Sequence, residues 1–318
     1  MRILVLNPGS STLKAAVIET PGRDALAKAT IAWGADATRM ADHASAISGV
    51  LGAVEAAGIT MGSIDAVGYR VVHGGTRYVR PVLLDDATLE EIEGLADFAP
   101  LHNPIAVETI RAVRHALPDV PHVAAFDTAF HAGLPAAGYR YPVPTNWFLN
   151  WGIRRYGFHG LSVAWSVTRA SELLGLPASE LKLVVAHLGS GCSVTAVDGG
   201  RSVDTSMGMT PLEGLMMGTR AGSLDPGILL ALLRDGRAPV AELADVLDHR
   251  SGLLGVSGAS SDVRELLQAE TTGDESAVPV SHWRCSRGGR RPASRRRRRA
   301  SPVWTRSSSR AASERTRR

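Results

Sequence analysis

The sequence is short of cysteine and of long apolar runs. Its two cysteines, Cys192 and Cys285, are too few for a disulfide framework or a four-cysteine zinc site. No stretch of 18 apolar residues occurs, so no segment is predicted to cross a membrane. The six residues before Asn7 are too few for the apolar core of a signal peptide. We therefore expect a cytoplasmic protein with no membrane partner.

Several familiar catalytic motifs are also absent. The chain has no Walker-A sequence, no Gly-x-Ser-x-Gly elbow and no His-Glu-x-x-His metal-binding helix. The composition, 44% hydrophobic and 21% charged, argues against a collagen-like, coiled-coil or wholly disordered protein. What is left is an α/β protein of 318 residues, long enough for two domains.

The basic charge of the chain comes from one end. Residues 281–318 hold 14 arginines and one acid, whereas the other 280 residues hold 21 basic and 30 acidic side chains. The basic stretch has no apolar periodicity with which to bury a core. We predict that residues 276–318 are a disordered tail, read out of frame from a GC-rich gene. The alternative is an arm that binds nucleic acid through its charge.

Before that tail, predicted strands alternate with predicted helices, which favours a layered α/β architecture. The predicted strands cover 3–6, 15–18, 64–72, 120–126, 181–187 and 192–197. The predicted helices cover 41–57, 103–117, 161–174, 226–234 and 239–249, followed by a glycine-rich segment at 252–258 and a short helix from Asp262. At an offset of 180 residues, Gly9 matches Gly189 and Val17 matches Val197. Two such hairpins suggest a duplicated fold with a cleft between its halves.

Polar residues follow several of the predicted strands. The segment Asn7 to Lys14 offers amides, hydroxyls and an ammonium group to phosphate oxygens, although an ordinary hairpin turn would look similar. Arg70 within a buried strand needs an anionic partner, either a ligand or a protein carboxylate. Asp127 follows a strand directly. Glycines on both sides of His159 would let backbone approach a ligand there, although for His159 alone a structural histidine is the better explanation. Together these groups favour phosphoryl transfer with Mg²⁺.

Seven segments together resemble the acetate kinases, of the acetate and sugar kinase, Hsp70 and actin superfamily. They are VLNPGSSTLK (5–14), RVVHGG (70–75), FDTAFH (126–131), RRYGFHG (154–160), AHLGSGCS (186–193), DTSMGMTPLEGLMMGTRAGSLDP (204–226) and GVSGASSDVR (255–264). The resemblance implies a duplicated actin-like (ribonuclease H-like) ATPase fold with a central cleft. Its domains would span residues 1–149 and 150–275, the second incomplete, and the protein would be a homodimer.

The resemblance also implies the reaction and its residues. The reaction would be reversible transfer of a phosphoryl group from ATP to acetate, giving acetyl phosphate and ADP, with Mg²⁺ or Mn²⁺. The implied catalytic residues are Asp127, His159 and Arg220. The substrate would be bound by Arg70 and by an apolar pocket of Val72, Leu101, Phe158 and Pro211. ATP would be bound by Lys14, His187, Leu188, Gly189, Ser190, Gly191, Asp262, Val263 and Arg264, and the metal by Asn7.

Two alternatives stay open beside this interpretation. A longer acyl chain, propionate or butyrate, would change only the size of the apolar pocket. A remnant without activity, whose basic tail binds nucleic acid, would use none of the site. Three positions depart from the family pattern, which usually has Glu at the position of Thr76, Asn at that of Ser190 and a second His at that of Val163.

Overall fold

The computed structural model describes residues 1–9, 12–22, 24–32, 40–100 and 102–272. The predictions for Leu101 and for the tail at 276–318 lie outside the described residues. Within the described part of the chain, no helix is both long and apolar enough to cross a bilayer.

A six-stranded mixed sheet forms the first half of the molecule. Its strand order is β3-β2-β1-β4-β6-β5. The strands are β1 (Arg2–Pro8), β2 (Thr12–Glu19), β3 (Ala25–Ala32), β4 (Ala66–Val71), β5 (Val82–Leu83) and β6 (His122–Phe126). β1, β2 and β3 pair in antiparallel fashion, whereas β1, β4 and β6 are parallel. The carboxyl ends of these three parallel strands therefore meet at one edge of the sheet, where open α/β sheets bind ligands.

Two helices bury one face of this sheet. They are α1 (Met40–Ala56) and α3 (Asn103–Ala116), and they pack on the strands and on each other. Val50 on α1 and Ile110 on α3 join Leu4 of β1 and Val67 of β4 in one apolar core. Pro104 in the first turn of α3 favours a helix start there. Its fixed φ suits that position, and the N–H that proline lacks would have had no hydrogen-bond partner within the helix. A further helix, α2 (Asp86–Glu93), is capped by Asp85, whose carboxylate accepts from the Thr88 amide.

The second half repeats the first hairpin and adds one strand. Its antiparallel sheet has the order β7 (Lys182–Leu188), β8 (Cys192–Asp198) and β9 (Arg201–Thr205). Helix α6 (Gly160–Leu174) covers one face, where Val163 and Val167 pack with Val197. The other helices are α4 (Ala136–Tyr139), α5 (Thr145–Trp151), α7 (Pro226–Arg234), α8 (Val240–His249), α9 (Gly252–Ser257) and α10 (Val263–Thr272).

Most of the predicted elements are confirmed, and the helix α9 was not predicted. The helices expected at 41–57, 103–117 and 161–174 all form. The glycine-rich segment at 252–258, for which no helix was predicted, contains the helix α9. A neighbouring segment stabilises its first turn, because the amides of Leu253 and Leu254 donate to the carbonyls of Met217 and Gly218. Tertiary hydrogen bonds therefore override the low helix propensity of its glycines.

Candidate active site

A cleft of about 500 Å³ opens at the carboxyl ends of the three parallel strands. Most of the side chains that the sequence singled out line it. They are Asn7, Lys14, Arg70, Val72, Asp127, Phe158, His159, His187, Gly189, Ser190, Gly191, Pro211 and Arg220. Both halves of the molecule contribute, since the loop between β7 and β8 faces the first sheet across the cleft.

Arg70 forms hydrogen bonds to residues at the ends of β1 and β6. Its Nε and Nη2 atoms donate to Oδ2 of Asp127 at 3.0 and 2.5 Å, and its Nη1 donates to Oδ1 of Asn7 at 2.9 Å. The Asp127 side chain is almost fully buried, whereas that of Arg70 is 28% exposed. The sequence left open whether Arg70 meets a ligand or a protein carboxylate. Its carboxylate partner is Asp127, itself a predicted site residue, so the ion pair lies inside the cleft.

The hairpin of β1 and β2 carries two of these groups side by side. Asn7 is the register partner of Lys14, so both side chains leave the same face of the hairpin. The turn closes where the Gly9 amide donates to the Thr12 carbonyl at 2.8 Å. Lys14 is exposed, as expected for a cation that meets a soluble anion.

His159 has an unusual backbone conformation. Its φ of 60° is the one positive value outside glycine in the described residues, and such left-handed conformations are strained for most side chains. The glycines on both sides of His159 are required by close packing inside the protein. A Cβ on Gly160 would lie 2.2 Å from the Asp127 carbonyl, and one on Gly157 would lie 2.7 Å from Thr205. The glycines instead let His159 approach the end of β6.

His159 and His187 form a stacked pair. Their ring centroids are 3.9 Å apart, with an angle of 19° between the ring planes. Burial, together with the charges of His187, Arg70 and Arg220, lowers the pKa of His159 to about 3. Burial and the Arg70 charge also lower the pKa of His187, against the opposing effect of Asp127. Both shifts favour the neutral imidazole at pH 7, a form that can donate or accept a hydrogen bond.

Arg220 supplies the second guanidinium group in the cleft. Its Nη1 donates to the Pro211 carbonyl at 3.4 Å, and its Nε lies 3.9 Å from a carboxylate oxygen of Asp248. Only 18% of the side chain is exposed. Burial lowers the pKa of Arg220, and the Asp248 charge opposes that shift. The cleft thus has two arginines and one lysine around a single buried carboxylate.

Comparison with known proteins agrees with this geometry. A sequence model described as the Acetokinase family matches residues 2–287. The chain belongs to the acetokinase family. Acetate kinase of Bacillus subtilis is 41% identical over 294 residues, a match that covers 87% of this chain and 74% of that protein. Acetate kinase of Deinococcus radiodurans is 45% identical over 293 residues, covering 87% of this chain and 73% of the relative.

Solved structures of this family have the same fold. The Porphyromonas gingivalis acetate kinase superposes with a TM-score of 0.77 at 34% identity, covering 90% of this chain and 80% of that one. A propionate kinase from Francisella tularensis also gives 0.77, at 35% identity, with 90% and 79% covered. The predicted actin-like α/β fold is therefore confirmed.

Some residues implied by the resemblance to acetokinases do not line the cleft. The Leu188 side chain is 75% exposed and lies outside it. Asp262, Val263 and Arg264 stand at the start of α10, where Asp262 pairs with Arg264 rather than facing the cavity. Gly218 connects the segment before α10 to the glycine loop of the cleft. Its amide donates to the Ser190 carbonyl, and a Cβ added to it would lie 3.2 Å from the Ser261 carbonyl.

Other cleft residues escaped the sequence analysis. His102, Leu161 and Ser162 all line the cavity. His102 begins α3, and burial with the charges of Arg220 and Arg70 lowers its pKa to about 3. Its place beside the proposed acyl-pocket residue Leu101 was a signal that could have identified it. Val163, one of the departures from the acetokinase pattern, is fully buried in the apolar cluster under α6 and away from the cavity.

The donor atoms at the strand ends suit a hard cation, although they are few. No group of three or more His, Cys, Asp or Glu side chains within the described residues could hold a metal ion. The cleft does offer oxygen atoms from Asp127 and Asn7. Mg²⁺ is commonly bound through one or two carboxylates, with substrate phosphates and water as the other ligands. The donor set therefore fits Mg²⁺ that arrives with a nucleotide.

Proposed function

We propose that this chain is an acetate kinase, which transfers the γ-phosphoryl group of ATP to acetate and forms acetyl phosphate and ADP. The supporting observation is that Arg70, Arg220 and Lys14 line the same cleft as Asp127. Phosphoryl transfer needs mainly positioning and charge neutralisation, and three cations in one cleft supply both. Family membership and the names of the relatives support the same reaction.

Acetate would be held between Arg70 and an apolar wall. The guanidinium group of Arg70 keeps part of its surface open beside Val72, Phe158 and Pro211. Val72 and Phe158 are buried against Met207 and Met217, so their positions are fixed by packing. A carboxylate on the arginine and a methyl group on the wall would orient one acetate oxygen toward the nucleotide. Leu101 would complete this pocket.

The nucleotide would approach from the second half of the molecule. We propose that the glycine loop at 189–191 and Lys14 contact its phosphates, since amides and an ammonium group both suit anionic oxygens. Leu188 would contribute backbone only, and Asp262 to Arg264 would border the adenosine end. We also propose the domain boundary near residue 150, which assigns the first sheet and the 187–191 loop to opposite sides of the cleft.

The transfer step needs charge stabilisation but no general base. Acetate is already ionised at pH 7, so no proton has to leave the nucleophile. Arg220 would neutralise charge on the phosphoryl oxygens in the transition state, and the neutral His159 would donate a hydrogen bond there. Asp127 and Asn7 would hold Mg²⁺, or Mn²⁺ in its place, which when bound neutralises phosphate charge. Asp127 is then a metal-holding residue and not a proton acceptor.

The decisive experiment compares Asp127→Asn with the parent chain in a hydroxamate assay for acetyl phosphate. We expect kcat to fall by about a hundredfold to a thousandfold, the effect of losing one preorganised electrostatic contact, and the Mg²⁺ concentration for half-maximal rate to rise. Asp198→Asn, a carboxylate paired with Lys182 at the end of β8, is the matched control and should change neither. A parent chain that forms no acetyl phosphate, or a fully active Asp127→Asn, would contradict the proposal.

Propionate is the second candidate substrate, because a solved propionate kinase has the same TM-score to this chain as the acetate kinase. One additional methylene changes binding by about 1–3 kcal/mol. We expect kcat/KM to favour acetate by about tenfold when the two acids compete, and a ratio above one for propionate would reverse the assignment. We also propose that the enzyme is a homodimer, and that any binding to nucleic acid depends on residues 281–318.

A further inference from the structure

The two stacked histidines share a second feature. Nδ1 of His159 lies 2.9 Å from the hydroxyl of Ser193, and Nδ1 of His187 lies 2.9 Å from the hydroxyl of Ser162. Ser193 is on β8 and is fully buried behind His159, whereas Ser162 is in the first turn of α6. Each ring therefore has one nitrogen engaged by a serine and the other left for the cleft.

The free nitrogens point toward the glycine loop that borders the cleft. A Cβ on Gly191 would lie 3.4 Å from Nε2 of His159, and one on Gly189 would lie 3.7 Å from Nε2 of His187. Both histidines line the cavity. Neither Nε2 atom has a hydrogen-bond partner within the part of the chain that the structure describes. These two atoms are therefore available to a ligand.

The direction of the buried hydrogen bond follows from counting donors. A neutral imidazole has one nitrogen that donates and one that accepts, and a serine hydroxyl can do both. If His159 donated from Nδ1, the buried Ser193 O–H would have no acceptor among the described residues. A buried donor without a partner destabilises the fold, because it gives up its hydrogen bond to water and gains none in return. The favourable arrangement is the Ser193 hydroxyl donating to Nδ1, which leaves the ring proton on Nε2.

We propose that Ser193 is a positioning residue that holds His159 as the Nε2–H tautomer and so directs a neutral N–H donor into the cleft; the half-buried Ser162, which meets Nδ1 of His187 in the same way, would favour the same tautomer in the second ring. The proposal rests on the proposed function for its purpose, which is to give phosphoryl oxygens two fixed donors. Charge would come from Arg70 and Arg220 instead. Stacking at 3.9 Å is compatible with this division, because two adjacent cationic rings would repel each other.

The test reads the tautomer directly. Ring-nitrogen chemical shifts of ¹⁵N-histidine-labelled full-length protein distinguish a protonated Nε2 from a protonated Nδ1. We expect the Nε2–H form for His159 and His187 in the parent chain. In Ser193→Ala we expect a mixture of tautomers at His159 alone, and in Ser162→Ala the same at His187. We also expect kcat for Ser193→Ala to fall by about threefold to tenfold, the worth of one net hydrogen bond, with KM for acetate unchanged within about twofold.

Two further variants separate tautomer control from mere packing. Thr195→Val removes another buried hydroxyl from the same strand, one bonded to Thr205, and should leave both the His159 signals and kcat unchanged. Ser193→Thr keeps the hydroxyl and should restore the Nε2–H form. An Nδ1–H form in the parent, or an unchanged His159 spectrum in Ser193→Ala, would overturn the proposal. If the tautomers behave as expected but no acetyl phosphate forms, the proposed function fails and the positioning role stands.

Discussion

The two sheets begin with the same hairpin, yet their strands are buried to very different extents. In both, two antiparallel strands are joined by a glycine loop, closed by the amides of Gly9 and Gly189. Leu4 of β1 is fully buried, whereas Val184, 180 positions later on β7, is 74% exposed. Leu4 lies under α1 and α3, and no described element covers Val184. The same local structure is therefore buried in the core of the first half but covered on only one face in the second half.

The edges of the two hairpins differ in the same way. β1 has β2 on one side and the parallel strand β4 on the other. β7 pairs with β8 alone within the described residues, so its second edge keeps unpaired amides and carbonyls. The first sheet can thus fix Asn7, Arg70 and Asp127 through its own packing. His187 of the second hairpin is held instead by contacts within the second half, a hydrogen bond to Ser162 of α6 and stacking on His159.

The largest expected difference concerns stability. Leu4→Ala leaves a cavity in the core of the first sheet and should lower the free energy of unfolding by about 2–5 kcal/mol. Val184→Ala removes an exposed side chain and should change it by less than about 0.5 kcal/mol. Urea denaturation followed by circular dichroism measures both. Similar losses from the two variants would mean that Val184 is covered in the working protein, and would remove the contrast between the sheets.

A second prediction concerns acid, and it starts from a histidine of the first half. His73 follows β4 and is fully buried among Phe98, Tyr156 and Phe158. Its Nδ1 accepts from the Gly75 amide, while Nε2 is buried without a partner in the described structure. Burial lowers its pKa from 6.5 to about 4. Because the folded pKa is depressed, His73 stabilises the fold fully above pH 6.5, and the contribution is lost as the pH falls toward 4.

Replacing His73 should therefore flatten the acid side of the stability curve. We expect the slope of unfolding free energy against pH, between about 6.5 and 4, to decrease by about 1.4 kcal/mol per pH unit in His73→Leu. Phe98→Leu, which disturbs the same aromatic cluster but removes no titrating group, should lower stability equally at every pH. An unchanged slope in His73→Leu would assign the acid sensitivity to other groups, such as the histidines of the cleft.

Sequence reasoning succeeded where a signal is local. Helices α1, α3 and α6 have clear apolar periodicity or helix-start residues. Asn7 and Asp127 directly follow apolar runs, and Arg70 lies near the end of one. Because the carboxyl ends of parallel strands meet at one edge of a sheet, strand-end motifs that are far apart in the chain could be assigned to a single site.

It failed where a role depends on distant partners. Ser193 lies in an alternating strand and looks like any other small polar residue, and only the fold brings it to His159. Leu188 is exposed because no described element covers that part of β7, and the sequence of the strand itself does not predict this. Likewise, α9 forms because two carbonyls of the 217–218 segment accept its first amides.

The smallest expected effect contrasts the charge carried by the two hairpins. The register partner of Asn7 is Lys14, and the partner of His187 in the second hairpin is Ser193. The first hairpin thus offers a cation to the cleft where the second offers only neutral groups. Lys14→Gln should raise KM for ATP by about twofold to fivefold, the range for an exposed ion pair, with kcat nearly unchanged.

Lys28→Gln on β3 makes the same charge change on the same sheet away from the cavity and should leave KM for ATP unchanged. Salt screens exposed charges, so the difference between the Lys14 variant and the parent should shrink as ionic strength rises. A difference that persists in high salt would instead indicate that Lys14 acts through packing of the hairpin.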